Sequence, residues 1–446
     1  GSATFTKFQT PRHMAASNET RACRWRAADA IGERIHFFFS AGGFGHMPSF
    51  LMRGKMVTSV LKALSHLHHV RASVLTDART DAAVAAHFAE RGAPDVCVLV
   101  KYGGVRKGRR SAAAAACKAV GALVLFDCID RHACFNGKEL SSQLEFREVD
   151  GFLTQTEQHR QWLVTRGALA ALLPHPHGNT GGWGRAPLGR GHGGVATPIR
   201  NVGFMVGAGR SLPKRSELDA LAEACCDAGA QLVIVRSPNA VERRRRYTAT
   251  PQPCPAAGPK AAGGTWAAAH CKPKDLKPLR CGDDPREADA ADLPDSALAV
   301  LPGDVGGQAR FYNSSELAHI DTLDVALLWP PQAQGLAGYA TFHRPPTRLH
   351  YWWSLGIPVM SYPMPAYVEA GRRAGYPPEL LHLRSASEVQ SALCAVREMS
   401  VRNCLRRIAL EGAKRSSPQA SAFGLLRAAC EISKAKAAGS ARRAML

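Results

Sequence analysis

From residue 34 onward, short apolar runs alternate with helical stripes, and they do so in two successive series. RIHFFFS (34–40) is a continuous apolar run closed by a glycine-rich turn, the pattern of a strand buried on both faces of a parallel sheet. Beyond the turn, Leu51, Met56, Val60, Leu61 and Leu64 share one helical stripe. RASVLT (71–76), DVCVLVK (95–101), GALVLFD (121–127) and DGFLTQT (150–156) repeat the strand signal, with helix-compatible stretches between them. The second series runs through NVGFMVG (201–207), QLVIVRS (231–237), DVALLWP (324–330) and IPVMSYP (357–363). Helices are expected over 216–228, 346–355, 386–399, 401–412 and 419–433. Such alternation demands parallel strands joined by crossover helices. The expected class is therefore α/β, with two Rossmann-like domains.

The boundaries follow from where periodicity stops. Residues 1–30 are basic, poor in acids and rich in Ala, Ser and Thr; they read as the remainder of a transit peptide, a processing remnant or a disordered tail. The first domain covers 31–180, a glycine-dense linker 181–200, and the second domain 201–415. Within the second, residues 238–305 lose all periodicity and read as a largely disordered insertion. Residues 416–446 form a last helix and tail.

The net charge of +21, from 57 Lys+Arg against 36 Asp+Glu, permits a polyanionic partner. Yet the cations are dispersed, and the densest run, Arg243–Arg246, lies in the insertion, so nucleic acid is not the expected partner. No apolar stretch approaches ~18 residues, so no membrane-spanning helix is expected. The 13 cysteines are scattered, and Cys97 and Cys128 stand in apolar runs as small hydrophobes. That usage suits a reducing compartment, cytoplasm or organelle stroma.

Four segments carry candidate chemistry. SAGGFGHMPSF (40–50) puts Gly42, Gly43 and Gly45 after a strand and before a helix, where backbone N–H groups and the helix dipole suit a phosphate or oxyanion. His46 closes that loop and could act as general base toward an acceptor hydroxyl, or cap the helix. VLFDCIDRH (124–132) ends a strand with Asp127 and Asp130, which could orient His46, contact an acceptor, or serve as ordinary loop carboxylates. VGAGRSLPKRSELDAL (206–221) places Arg210, Lys214 and Arg215 ahead of a helix, a diphosphate receptor or a solvated basic loop. HRPPTRLHYWWSLGIPVMSYP (343–363) starts a helix behind a Pro-Pro pair, with Thr347 and Arg348 at its N-terminus and Gly356 at its end.

Metal, P-loop and nicotinamide patterns fail. His175 and His177 have no partner at zinc spacing, and Cys254, Cys271 and Cys281 lack a CxxC pair. No GxxxxGK[ST] occurs, and GGFG is not a complete GxGxxG.

Taken together, the loops resemble those of the GT-B glycosyltransferases. SAGGFGH looks like the GGxGH first loop of the inverting branches. VGAGRSLPKR is similar to the donor-domain loop of the group-1 branch, where an Arg and a Lys hold the donor diphosphate, matching Arg210 and Lys214. RPPTRLHYWWSLGIPVM resembles that domain's K-P-x-x-R/K-L segment, which would bring Thr347 and Arg348 to the donor. LLPHPHGN is similar to the segment passing into the donor domain. The group-1 branch carries two glutamates spaced E-x7-E, whereas this chain has His343 and Tyr351 there. The resemblance implies two Rossmann-like domains facing a central cleft and transfer of a sugar from a nucleotide-diphosphate sugar to an acceptor hydroxyl on a glycan, lipid or protein. No obligatory metal or other cofactor is expected. The alternatives are a binding or scaffold protein that has lost catalysis, a UDP-sugar epimerase, and a basic nucleic-acid-binding protein.

Overall fold

The structure is a computed structural model that describes residues 34–40, 50–66, 69–100, 111–129, 134, 146–177, 199–206, 213–236, 248–252, 323–330 and 345–444. The chain divides into two compact units. One comprises residues 1–174 and 421–446, the other residues 175–420.

In the first unit, β1 (Ile35–Ser40), β2 (Val70–Leu75), β3 (Val96–Val100), β4 (Leu123–Asp127), β5 (Gly151–Thr154) and β6 (Ala170–Leu172) form one six-stranded sheet in the order β2-β1-β3-β4-β5-β6. Every pairing is parallel. The apolar runs that announced these strands are buried along their whole length in β1, β3, β4 and β5. A wide helical turn, Leu51–Met56, leads into α1 (Val57–Ala63). The remaining crossovers are α2 (Asp81–Arg91), α3 (Ala112–Ala119) and α4 (Glu157–Val164). Each of these three starts on a side-chain cap: Thr80, Ser111 and Thr156 accept from the backbone N–H of Ala83, Ala114 and His159. One face of the sheet packs Phe38, Leu99, Val124 and Phe126 against Val84, Ala113, Ala114 and Leu163.

The second unit holds β7 (Asn201–Val206), β8 (Gln231–Arg236), β9 (Thr248–Pro251), β10 (Val325–Leu328) and β11 (Val359–Ser361), in the order β11-β10-β7-β8-β9. Four strands are parallel and β9 runs antiparallel to β8 at the edge. Helices α5 (Arg215–Asp227), α6 (Thr347–Ser354), α7 (Pro365–Ala374), α8 (Ala386–Ala395) and α9 (Met399–Lys414) surround it. The chain then enters α10 (Pro418–Ala444), whose residues from Ser421 onward belong to the first unit, where Ile432 sits against Gly151 of β5.

Two expectations change. The segment 238–305 contributes a strand, β9, that periodicity did not show; an edge position tolerates Pro251, which has no N–H to donate. Cys97 and Cys128 are not free hydrophobes. Cys97 of β3 is bonded to Cys117 of α3, and Cys128 to Cys134. A strand and the helix that packs over it bring the Cys97 and Cys117 Cα atoms to 6.3 Å, within bridging range, without any short sequence spacing to signal it. Among the described residues Cys225 is the free cysteine, and it is buried. These bonds remove the ground on which a reducing compartment was expected.

The core of the second unit includes a close helix approach at Gly412 of α9. A Cβ there would meet the Trp353 ring at 2.7 Å and the Ala374 Cβ at 2.9 Å. On an open helix face Gly→Ala gains about 1 kcal/mol. Here the sign reverses: Gly412→Ala is expected to lower the unfolding free energy by about 1–3 kcal/mol through overpacking, read from urea unfolding. A stabilised variant would show that the Trp353 contact is loose.

Candidate functional site

Open α/β sheets bind ligands outside the carboxyl ends of their strands, where the strand order reverses, because neighbouring loops diverge there and leave a crevice. The second sheet reverses between β7 and β10. Helix α5 follows β7 and α6 follows β10, so both start on the carboxyl side of the sheet.

Two features mark this edge. First, neither helix has a side-chain cap: α5 is entered from Lys214 and α6 from Pro346, with no capping hydrogen bond at either. The N-cap residue therefore satisfies none of the first-turn N–H groups through its side chain, and the positive ends of both dipoles point toward the edge. Second, two buried polar groups have no hydrogen-bond partner among the described residues. Trp329 directly follows β10 and is 5% exposed, and its indole N–H has no acceptor. Ser361 ends β11, is fully buried, and its hydroxyl has no partner. The register sets Ser361 beside Leu328, so these groups stand on adjacent strand ends. Tyr362 packs edge-on to Trp329 at 5.4 Å and donates its backbone N–H to Leu328 O at 3.0 Å. A buried donor without an acceptor costs about 1–3 kcal/mol. Side-chain alternation sets Ser361 on the face it shares with Leu328 and Trp329 on the face it shares with Tyr362, so a ligand oxygen at this edge would serve one of the two groups.

The sequence candidates distribute as follows. Thr347 and Arg348 open α6 and are half-buried. Lys214 is exposed at the start of α5. Arg215 is exposed too and pairs with Asp219 along the helix at 2.9 Å. Arg210 lies outside the described residues, as do Gly42, Gly43, Gly45, His46 and Asp130. Neither Trp329 nor Ser361 is signalled by sequence, since each reads as the apolar or small end of a core strand.

Asp127 ends β4 in the first unit and is fully buried. Its carboxylate meets Arg53 Nε at 2.8 Å, and Arg53 is as deeply buried. The same guanidinium donates to Pro174 O at 2.9 Å and Leu173 O at 2.7 Å. Burial lowers the Arg53 pKa and Asp127 opposes the shift. Arg53 therefore gives Asp127 a structural partner that the sequence did not reveal, because no spacing links two residues so far apart in the chain until the fold sets them side by side. Ser40, at the end of β1, carries a buried hydroxyl without a partner.

Among the described residues no group of three or more His, Cys, Asp or Glu could hold a metal ion, and no helix is long and apolar enough to cross a membrane.

No protein-family model matches the chain, and no curated protein matches it. Among solved structures, the MnaA–UDP co-structure of S. aureus is similar at 9% identity, covering 88% of this chain and 94% of that chain, with a TM-score of 0.35.

Proposed function

We propose that the chain binds a nucleotide-diphosphate sugar at the carboxyl edge of its second sheet and transfers the sugar to an acceptor hydroxyl, on the GT-B plan. The observation that carries the reading is the reversal of strand order between β7 and β10, with α5 and α6 starting uncapped on its carboxyl side and Trp329 Nε1 buried at the end of β10 with no hydrogen-bond partner among the described residues. Phosphate and sugar oxygens are the acceptors such groups accommodate. In this proposal the N-termini of α5 and α6, with Arg210, Lys214 and Arg348, stabilise the leaving diphosphate as its charge develops. His46 serves as the general base if the reaction inverts.

The test is calorimetric titration with a panel of UDP-, GDP- and ADP-sugars. Trp329→Phe removes the N–H and keeps the ring, and Ser361→Ala removes the hydroxyl. Trp329→Phe is expected to weaken donor binding by roughly tenfold, the worth of one hydrogen bond to a charged group, while the stability of the ligand-free protein holds or rises; Ser361→Ala, on the opposite face of the sheet, is the control expected to leave donor affinity unchanged. A parent protein that binds no sugar nucleotide sinks the proposal. Product analysis then separates two enzymes of this class: nucleotide released in step with acceptor consumption marks a transferase, and an inverted sugar still attached to nucleotide marks an epimerase.

A further inference from the structure

Helix α6 has eight residues and starts from Pro346 with no side-chain capping hydrogen bond. One turn further on, His350 is 3% exposed and makes a hydrogen bond from each ring nitrogen to a segment outside the helix. Nδ1 lies 3.1 Å from His175 O, and Nε2 lies 3.0 Å from Ser416 Oγ. A carbonyl oxygen only accepts, so Nδ1 carries the hydrogen. With the ring neutral, Nε2 is then the acceptor and the Ser416 hydroxyl donates to it. Burial, with His177 and Arg373 adding positive charge, disfavours the imidazolium. The two segments are also tied to each other, since His177 N donates to Ser416 O at 2.9 Å. His175 opens the second unit and Ser416 stands close to its last residue, Ala420. Both chain ends of this unit are thereby fastened to α6.

We propose that His350 is the positioning residue of the donor-site helix: its two oppositely directed hydrogen bonds lock α6 to the His175 and Ser416 segments and so aim Thr347 and Arg348. The proposal rests on the sugar-nucleotide reading of this edge. His350 itself touches no donor atom. It acts by removing the freedom of α6 to rotate or slide, so that the first-turn N–H groups meet the diphosphate without an ordering cost.

The first measurement is made on the unaltered full chain. Labelled with ¹⁵N-histidine, it should show His350 as the Nδ1–H tautomer at pH 7. An Nε2–H tautomer or an imidazolium overturns the proposal. The second is donor affinity by calorimetry. His350→Phe, which keeps a ring in the space, is expected to weaken sugar-nucleotide binding five- to twentyfold. His350→Asn, which restores a donor near the Nδ1 position, should recover a substantial part of that loss. Ser416→Ala, the mildest change, should weaken binding two- to fivefold. Equal donor affinity in folded His350→Phe and the parent overturns the proposal, because a purely structural histidine would lower stability without moving affinity. Should His350→Phe fail to fold, Ser416→Ala and the tautomer decide. A parent that binds no sugar nucleotide defeats the functional reading instead, and the tautomer still reports whether the lock is built as described.

Discussion

Asp127→Ala is expected to strip the first unit of a large part of its stability at neutral pH. The guanidinium it would abandon is 1% exposed, the carboxylate itself 0%, and an arginine cannot shed its charge to escape. Removing one member of a buried pair costs about 3–5 kcal/mol, because the desolvation already suffered by the other is no longer offset. Against a typical domain stability of about 5–15 kcal/mol that is a large share. Arg53 also holds the Leu173 and Pro174 carbonyls, so the disturbance reaches the end of β6. Asp127→Asn keeps the shape and one acceptor oxygen and should cost less. A double replacement, Arg53→Met with Asp127→Leu, removes both charges and should recover much of the stability lost in Asp127→Ala. Urea unfolding of the full chain at pH 7, following the first unit's own transition, is the measurement. If Asp127→Ala instead unfolds like the parent while activity disappears, the carboxylate belongs to the chemistry and the ion pair is incidental.

That contrast shows how far the sequence could be read. RIHFFFS, DVCVLVK and GALVLFD announced β1, β3 and β4 within a residue or two, because a strand buried on both faces has to be apolar throughout. β9 was invisible, since Thr248–Pro251 has no periodicity of its own and becomes a strand by pairing with β8. α7 was not anticipated either: it starts at Pro365, shortly after β11, and its buried stripe of Ala366, Tyr367, Gly371 and Ala374 is made largely of small residues that carry little apolar signal. The site divides the same way. Gly-rich turns and cations ahead of helices can be seen in sequence because they are local. Arg53 with Asp127, and Trp329 beside Tyr362, owe their meaning to what the sheet order sets beside them, and no spacing encodes it. The Cys97–Cys117 bond belongs to this second group.

Acid should weaken both units well before most carboxylates are protonated, and two buried histidines set the range. His36 is held near 4, first by burial and then by the positive charge of Arg71, with His87 also unfavourable. His350 is held near 3, again first by burial. The local bonding around His36 explains why its charge is excluded. Its Nδ1 faces Ala93 O at 3.3 Å and so carries hydrogen, which leaves Nε2 to accept from Ser73 Oγ at 2.8 Å. Ser73 in turn accepts from His87 Nε2 at 3.1 Å. A second proton on His36 would turn Nε2 into a donor, so the Ser73 hydroxyl would have to give up its hydrogen bond to that ring and accept from both histidines instead. The unfolded chain takes up these protons near pH 6.5, while the folded chain resists until about 4 for His36 and about 3 for His350. Between those values the unfolded state binds more protons, so stability is fully present above about 6.5 and falls as the pH drops. At about 1.4 kcal/mol per unit, complete loss amounts to about 3 kcal/mol for His36 and about 5 kcal/mol for His350, as orders of magnitude. Urea unfolding at pH 7, 5.5 and 4 is expected to show the decline, and His36→Gln should flatten it in the first unit alone. A stability that is level from pH 7 to pH 4, or a histidine titration above pH 6 for either ring, would mean that the charged forms are tolerated and that these rings are wetter than their geometry says.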